Sequence, residues 1–276
     1  MDEALGKHWI LLRGLARESA HWGDFVPLLQ DAFPASRITL IDLPGTGCYY
    51  RKVSPCSIRA IVESVRGDAL AKGLLEKPVS ILGLSLGAMV AWEWLSRHPR
   101  EIAGAVLMNT SFAGLSPFYR RLRRQSYCDF VKMALTSDIY RREVGIVRLV
   151  SNRKDRYEAT IEEWSRIQKA RPISTKNALR QIVAAATYKP SNSKLHQPVL
   201  LLNGQGDRLV SPSCTAAIQN KWDLECRSHL WAGHDLTLDD GEWVATQMQD
   251  WVSQKESNQK PSSINAQKRG QVKFNN

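Results

Sequence analysis

Three side chains that together can activate a hydroxyl group lie at loop positions along this chain: Ser85, Asp207 and His234. Ser85 interrupts the otherwise apolar run "VSILGLSLGAMVAWEWL" and is framed by Gly83 and Gly87. A G-x-S-x-G pattern holds a serine on a sharp strand-to-helix turn, where the strained backbone leaves no room for bulky neighbours. A serine hydroxyl is a poor nucleophile until a base takes its proton, and the base needs an acid to orient it. His234, in "WAGHDL", follows a strand-like run and a glycine, and Asp207, in "NGQGDRLVSP", follows the strand-like run before it. Loops at the carboxyl ends of parallel strands open on one crevice, so the three residues are expected to meet there.

The tetrahedral intermediate of acyl transfer also needs two backbone N–H donors for its oxyanion. Leu86, next after the serine and at a helix N-terminus, is expected to supply one. Leu15, in the loop "RGLARES" after the first strand run, is expected to supply the other. In the same loop Arg13 and Arg17 are candidate substrate-binding residues, able to grip a carboxylate or phosphate bidentately. The alternative for Arg13 is a salt-bridged brace of the loop, with Asp42 at the end of the next strand as partner.

Asp235, Asp239 and Asp240 are rival acids. Asp235 is adjacent in sequence to the base and geometrically awkward, and the Asp239-Asp240 pair reads as solvated. Among the other histidines, His98 suits a helix C-terminus. His8, His196 and His229 fall at or within strand runs, and His21 sits in the loop or first turn after the first strand. H-E-x-x-H, paired cysteines, a Walker loop and a dinucleotide fingerprint are all lacking, so neither metal nor cofactor is expected.

Positioning these residues requires alternating elements. Strand runs are read at "HWILLRGL", "RITLIDLPGTG", "PVSILGLS", "IAGAVLMNTS", "QPVLLLNGQGD" and "LECRSHLWAGH". Helical spacing is read at "HWGDFVPLLQDAF", at "SIRAIVESVRGDALAKG" with Ser57 as N-cap, at "LGAMVAWEWLSRHP", at "SPSCTAAIQNKW" and at "GEWVATQMQDWV". Such alternation implies an α/β fold with a mostly parallel sheet flanked by helices. Residues 1–111 and 191–254 are expected to form this core. Residues 112–190, with helical stretches "SPFYRRLRRQSYCDFVKMAL" and "ATIEEWSRIQKARPISTKNALRQIVAAATY", form an inserted helical lid. Residues 255–276 lack apolar periodicity and read as a disordered basic tail.

With 276 residues, 43% hydrophobic and 24% charged, the chain is of ordinary globular composition. Its five cysteines are scattered and odd in number, which suits reduced thiols. The apolar run near the N-terminus is too short for a signal-peptide core or a membrane span, so a cytoplasmic, membrane-free protein is expected. The net charge of +11 is uneven: residues 118–190 carry 17 Lys and Arg against 7 Asp and Glu.

Taken together, "WILLRGLARESAHW", "LIDLPGTG", "LGLSLG", "LLLNGQGD" and "AGHD" resemble the α/β-hydrolase superfamily over nearly the whole chain outside the lid and tail. Within it, the chain is similar to the carboxylesterase group of the biotin-synthesis methyl esterase type. The order Ser85, Asp207, His234 is the superfamily's order of nucleophile, acid and base. The resemblance implies the α/β-hydrolase fold, the triad and the oxyanion donors, and it leaves the acyl group open. Two departures stand out. Arg13-Gly14 replaces the usual His-Gly after the first strand, and Thr46 replaces the histidine of the D-x-P-G-x-G turn.

The expected activity is therefore that of a serine hydrolase acting on a carboxylic ester or thioester through an acyl-enzyme. A carbon–carbon bond hydrolase or an acyltransferase on the same fold is the alternative, and a ligand- or partner-binding protein with a little-used triad is another. The basic lid is either a solvated face or an attractor for an acidic acyl carrier or coenzyme A ester. Nucleic acid is not expected, because no recognised binding module accompanies the charge.

Overall fold

The computed structural model describes residues 4–193 and 195–259. Six strands form one sheet: β1 (His8–Leu12), β2 (Arg37–Ile41), β3 (Val79–Leu84), β4 (Ile102–Met108), β5 (Val199–Gly204) and β6 (Glu225–His229). Their order is β2-β1-β3-β4-β5-β6 and every pairing is parallel. The central strands β3, β4 and β5 are buried at every position, which is why they read as unbroken apolar runs; the edge strands β2 and β6 are partly exposed.

Helices cover both faces. On one side α2 (Ile58–Ala71), α3 (Leu86–Arg97) and α9 (Pro212–Trp222) pack a core that includes Ile61, Trp92, Trp94 and Ile218. On the other, α1 (Phe25–Ala32) and α10 (Leu236–Gln259) enclose Trp9, Phe25, Met248 and Trp251. Ser57 caps α2 by accepting from the Ala60 N–H at 3.3 Å, and Ser211 caps α9, with Pro212 at its first turn. α10 is two helical segments joined at the non-helical Asp240 (φ −152°, ψ 78°), so the expected helix from Gly241 is present, preceded by a short segment and extended at its C-terminal end. It runs from Leu236 to Gln259, so residues 255–259 of the expected tail are helical. Residues 260–276, the rest of that tail, lie outside the described residues.

Between β4 and β5 the chain is helical: α4 (Phe118–Arg121), α5 (Tyr127–Leu135), α6 (Ile139–Val150), α7 (Tyr157–Ala170) and α8 (Thr175–Thr187). The long stretch beginning "ATIEEWSRIQ" divides into α7 and α8 because Pro172 cannot continue a helix; Ser174 then caps α8 through the Asn177 N–H. Val147, Ile161 and Trp164 form a small core of their own. No helix among the described residues is long and apolar enough to cross a membrane.

Candidate active site

Ser85 occupies the single residue between β3 and α3, with φ 56° and ψ −109°. A non-glycine residue in this region is strained and persists only where its surroundings hold it. The Ser85 N–H donates to the Met108 carbonyl of β4 at 2.8 Å, and its own carbonyl accepts from the Thr110 hydroxyl at 2.9 Å. A Cβ on Gly87 would overlap the Leu12 carbonyl oxygen, and one on Gly83 would stand 2.7 Å from the Ala88 nitrogen. Helix and strands approach so closely here that the two glycines are a packing requirement of the turn.

Asp207 follows β5 and His234 follows β6. One carboxylate oxygen of Asp207 accepts from the Leu209 and Val210 N–H groups at 2.8 and 2.9 Å; the other lies 2.7 Å from His234 Nδ1. Because a carboxylate only accepts, Nδ1 donates to it, so in the neutral imidazole Nε2 is the nitrogen whose lone pair can serve as a general base. Both side chains are buried. Ser85 and His234 line one cavity of about 310 Å³, together with Leu15 and Leu86. Its remaining walls are mostly apolar, with Met89, Ile146, Trp164 and Ile182 among them.

The loop carrying Leu15 is held by side chains from α7 and α8. Ala16 has φ 59°; its N–H donates to Gln181 Oε1 at 2.9 Å, and its carbonyl accepts from Gln168 Nε2 at 3.4 Å. Gln181 is fully buried, and its amide nitrogen donates to the Pro44 carbonyl at 3.2 Å. Neither the Leu15 nor the Leu86 N–H donates to an acceptor among the described residues.

Arg13 and Arg17 also line the cavity, but each is held by a buried carboxylate. Arg13 pairs with Asp235 at 2.5 Å and stacks over Trp22, 4.8 Å from the ring centre. The expected brace partner, Asp42, is used elsewhere: it accepts from the N–H and hydroxyl of Ser19, both at 2.6 Å, and from the Cys48 N–H at 2.8 Å. Asp235, set aside as a rival acid, pairs with Arg13 and not with His234, the two adjacent side chains leaving the loop towards different partners. The Arg13 guanidinium then holds the Asp235 carboxyl below the usual range against the opposing effect of burial. Arg17 reaches Glu143 of α6 at 2.8 Å and lies over Trp164. A substrate anion at either arginine would compete with a carboxylate already in place.

Two residues near the site escaped the sequence reading. Asn109, just after β4 with φ 45°, donates from its amide to the carbonyls of Gly233 (3.0 Å) and His234 (2.8 Å), and accepts from the Gly204 N–H at 2.9 Å. It ties the acid and base loops together; an asparagine ending an apolar strand, tolerant of left-handed backbone, was the available signal. Asp239, read as solvated, is completely buried. It accepts from the Ser151 hydroxyl (2.5 Å), the Gly233 N–H (2.6 Å) and the Asn152 N–H (3.0 Å), joining the base loop to the end of α6. Burial pushes its carboxyl upward despite these donors. No group of three or more His, Cys, Asp or Glu residues able to hold a metal ion occurs among the described residues.

Comparison with known proteins agrees with this architecture. A pimeloyl-[acyl-carrier protein] methyl ester esterase of Methylococcus capsulatus is 36% identical over 103 residues, a stretch covering 37% of each chain. A 2-hydroxy-6-oxononadienedioate/2-hydroxy-6-oxononatrienedioate hydrolase of Pseudomonas putida is 32% identical over 114 residues, 40% of this chain and 38% of the relative. These matches therefore span well under half the length of either relative. A methyl ester esterase of Xylella fastidiosa strain M12 aligns over 90% of this chain and 96% of its own at 21% identity. Among solved structures, the enol-lactonase of Burkholderia xenovorans LB400 superposes with a TM-score of 0.72 at 15% identity, over 89% of this chain and 91% of that one. Residues 7–240 match the sequence profile of the alpha/beta hydrolase fold, and the chain belongs to that family.

Proposed function

We propose that this chain is a serine hydrolase that cleaves a carboxylic ester or thioester through an acyl-enzyme on Ser85. One observation carries the reading: His234 is oriented by Asp207 at 2.7 Å and shares a cavity with Ser85. His234 Nε2 takes the Ser85 proton as Oγ attacks the acyl carbonyl. The Leu15 and Leu86 N–H groups hold the oxyanion, and His234 returns the proton to the departing alkoxide or thiolate. Water, deprotonated by the same imidazole, then releases the acid. The relatives named as esterases support the reaction class.

Residues 112–190 act as a lid in this reading, since α6, α7 and α8 supply much of the cavity wall. Their apolar side chains suit the acyl group, and the surplus of Lys and Arg in the same stretch suits an acidic acyl carrier. A second reading, cleavage of a carbon–carbon bond in a dicarboxylate by the same triad, is favoured by the Pseudomonas putida relative named for a dioate. Turnover of such a dianion without turnover of simple esters would select it.

The test is hydrolysis of p-nitrophenyl esters from acetate to dodecanoate, with Ser85→Ala alongside. Loss of the serine is expected to lower kcat by more than about 10⁴-fold, with chain length reporting the depth of the cavity. Release that survives in Ser85→Ala, or no release from any ester, would overturn the proposal.

A further inference from the structure

A second cavity, of about 570 Å³, opens between α5 and α6. Lys132 of α5, Arg141 and Arg148 of α6, and Arg208 line it, against the single carboxylate of Asp129. Four cations thus face one acid, a net charge of +3 in one cleft. Arg141 and Arg148 are seven residues apart and so project from the same face of α6, about 10 Å apart along its axis. None of the four forms an ion pair among the described residues, whereas Arg13 and Arg17 of the first cavity are both paired with buried carboxylates.

Arg208 is also fixed in place. Its Nη2 donates to the Ser151 carbonyl at 2.5 Å, its own carbonyl accepts from the Ser126 hydroxyl at 2.7 Å, and its buried Nε has no partner among the described residues. A guanidinium held by the fold loses little freedom on binding an anion. Arg208 comes directly after Asp207 in the chain, and Met133 and Leu149 line both cavities. The cleft is therefore the outer neighbour of the cavity that holds Ser85.

We propose that the α5–α6 cleft binds a phosphate-bearing group carried by the thiol half of a thioester substrate. The inference rests on the serine-hydrolase reading for its reaction, though not for the binding itself. A single carboxylate would neutralise one of the four cations, whereas an extended group with several phosphate charges matches both their number and their span. Arginine forks pair bidentately with phosphate oxygens. In the reaction, the acyl carbon–sulfur bond breaks as the Ser85 ester forms, and the thiolate takes the proton from His234. Water then hydrolyses the Ser85 ester, giving the carboxylic acid and regenerating the serine.

The experiment has two arms at about 0.15 M salt. In the first, kcat/KM is measured for butyryl-coenzyme A and butyryl-pantetheine, which share the thioester and differ in the adenosine and its phosphates; the second arm isolates the phosphates. The wild-type chain is expected to favour the phosphorylated thioester at least tenfold, and Arg141→Gln/Arg148→Gln to reduce that preference to about twofold. Equal rates in the wild type, or a preference that survives the double substitution, would overturn the proposal. In the second, inorganic tripolyphosphate is titrated calorimetrically into the Ser85→Ala protein with and without the double substitution. Binding weakened at least tenfold by the substitution is expected, and no binding to the Ser85→Ala protein would overturn it. Because the second arm needs no turnover, failure of the cleft is distinguishable from failure of the serine mechanism. An unchanged melting temperature in the double variant shows that it has folded.

Discussion

Ser85 holds a left-handed backbone without being glycine, and the hydrogen bonds from Thr110 and to Met108 are what keep it there. The same principle, a residue held in a state it would not choose alone, governs His21. Burial, reinforced by the charges of Arg17 and Arg13, lowers its pKa well below 6.5, against the opposing hydrogen bond to the Glu18 carbonyl. The unfolded chain takes up a proton below about pH 6.5 that the folded chain refuses, so this residue's contribution to stability falls as the pH drops from there. The loss approaches about 1.4 kcal/mol per pH unit. Urea unfolding between pH 6.5 and 5 should therefore show a slope that His21→Gln reduces by about 1 kcal/mol per unit. An unchanged slope would mean that the imidazole takes up its proton in the fold as readily as in the unfolded chain.

At the scale of elements, the loop after β1 is one place where core and helical segment meet. Gln181 of α8 satisfies the Ala16 N–H and the Pro44 carbonyl at once, and Arg17 crosses to Glu143 of α6. A donor for an oxyanion must be placed to within a few tenths of an ångström, and Leu15 adjoins the residue that Gln181 holds. Gln181→Leu is expected to lower kcat by about tenfold or more while KM changes less than threefold, since a lost oxyanion donor costs up to about 10²–10³. Gln181→Glu keeps an acceptor for the Ala16 N–H and is expected to recover part of the loss. Equal changes in kcat and KM, or none, would assign Gln181 to packing alone.

For the whole molecule, much of the fold was legible because its signals are local. Buried parallel strands read as apolar runs, and glycines mark the turns at their carboxyl ends, where Ser85, Asp207 and His234 stand. What the sequence could not show depends on contacts between distant segments. Arg13 finds Asp235 across 222 residues, and Asp239 is buried because α6 ends above it; nothing in either neighbourhood marks these partners. The short segment from Leu236 to the non-helical Asp240, whose carboxylate accepts from the Trp243 N–H at 3.0 Å, escaped for a related reason, since Asp239 within it is held by Ser151 and Asn152 of a distant segment.

The central claim is that Ser85 is an activated nucleophile. The most direct measurement is intact-mass spectrometry of the protein after brief exposure to a fluorophosphonate, with peptide mapping of the adduct, alongside Ser85→Ala and His234→Ala. The account predicts one adduct, on the peptide carrying Ser85, absent from Ser85→Ala and slowed by at least about 10³-fold in His234→Ala. An adduct on another residue, or a wild-type chain that stays unlabelled, would contradict it.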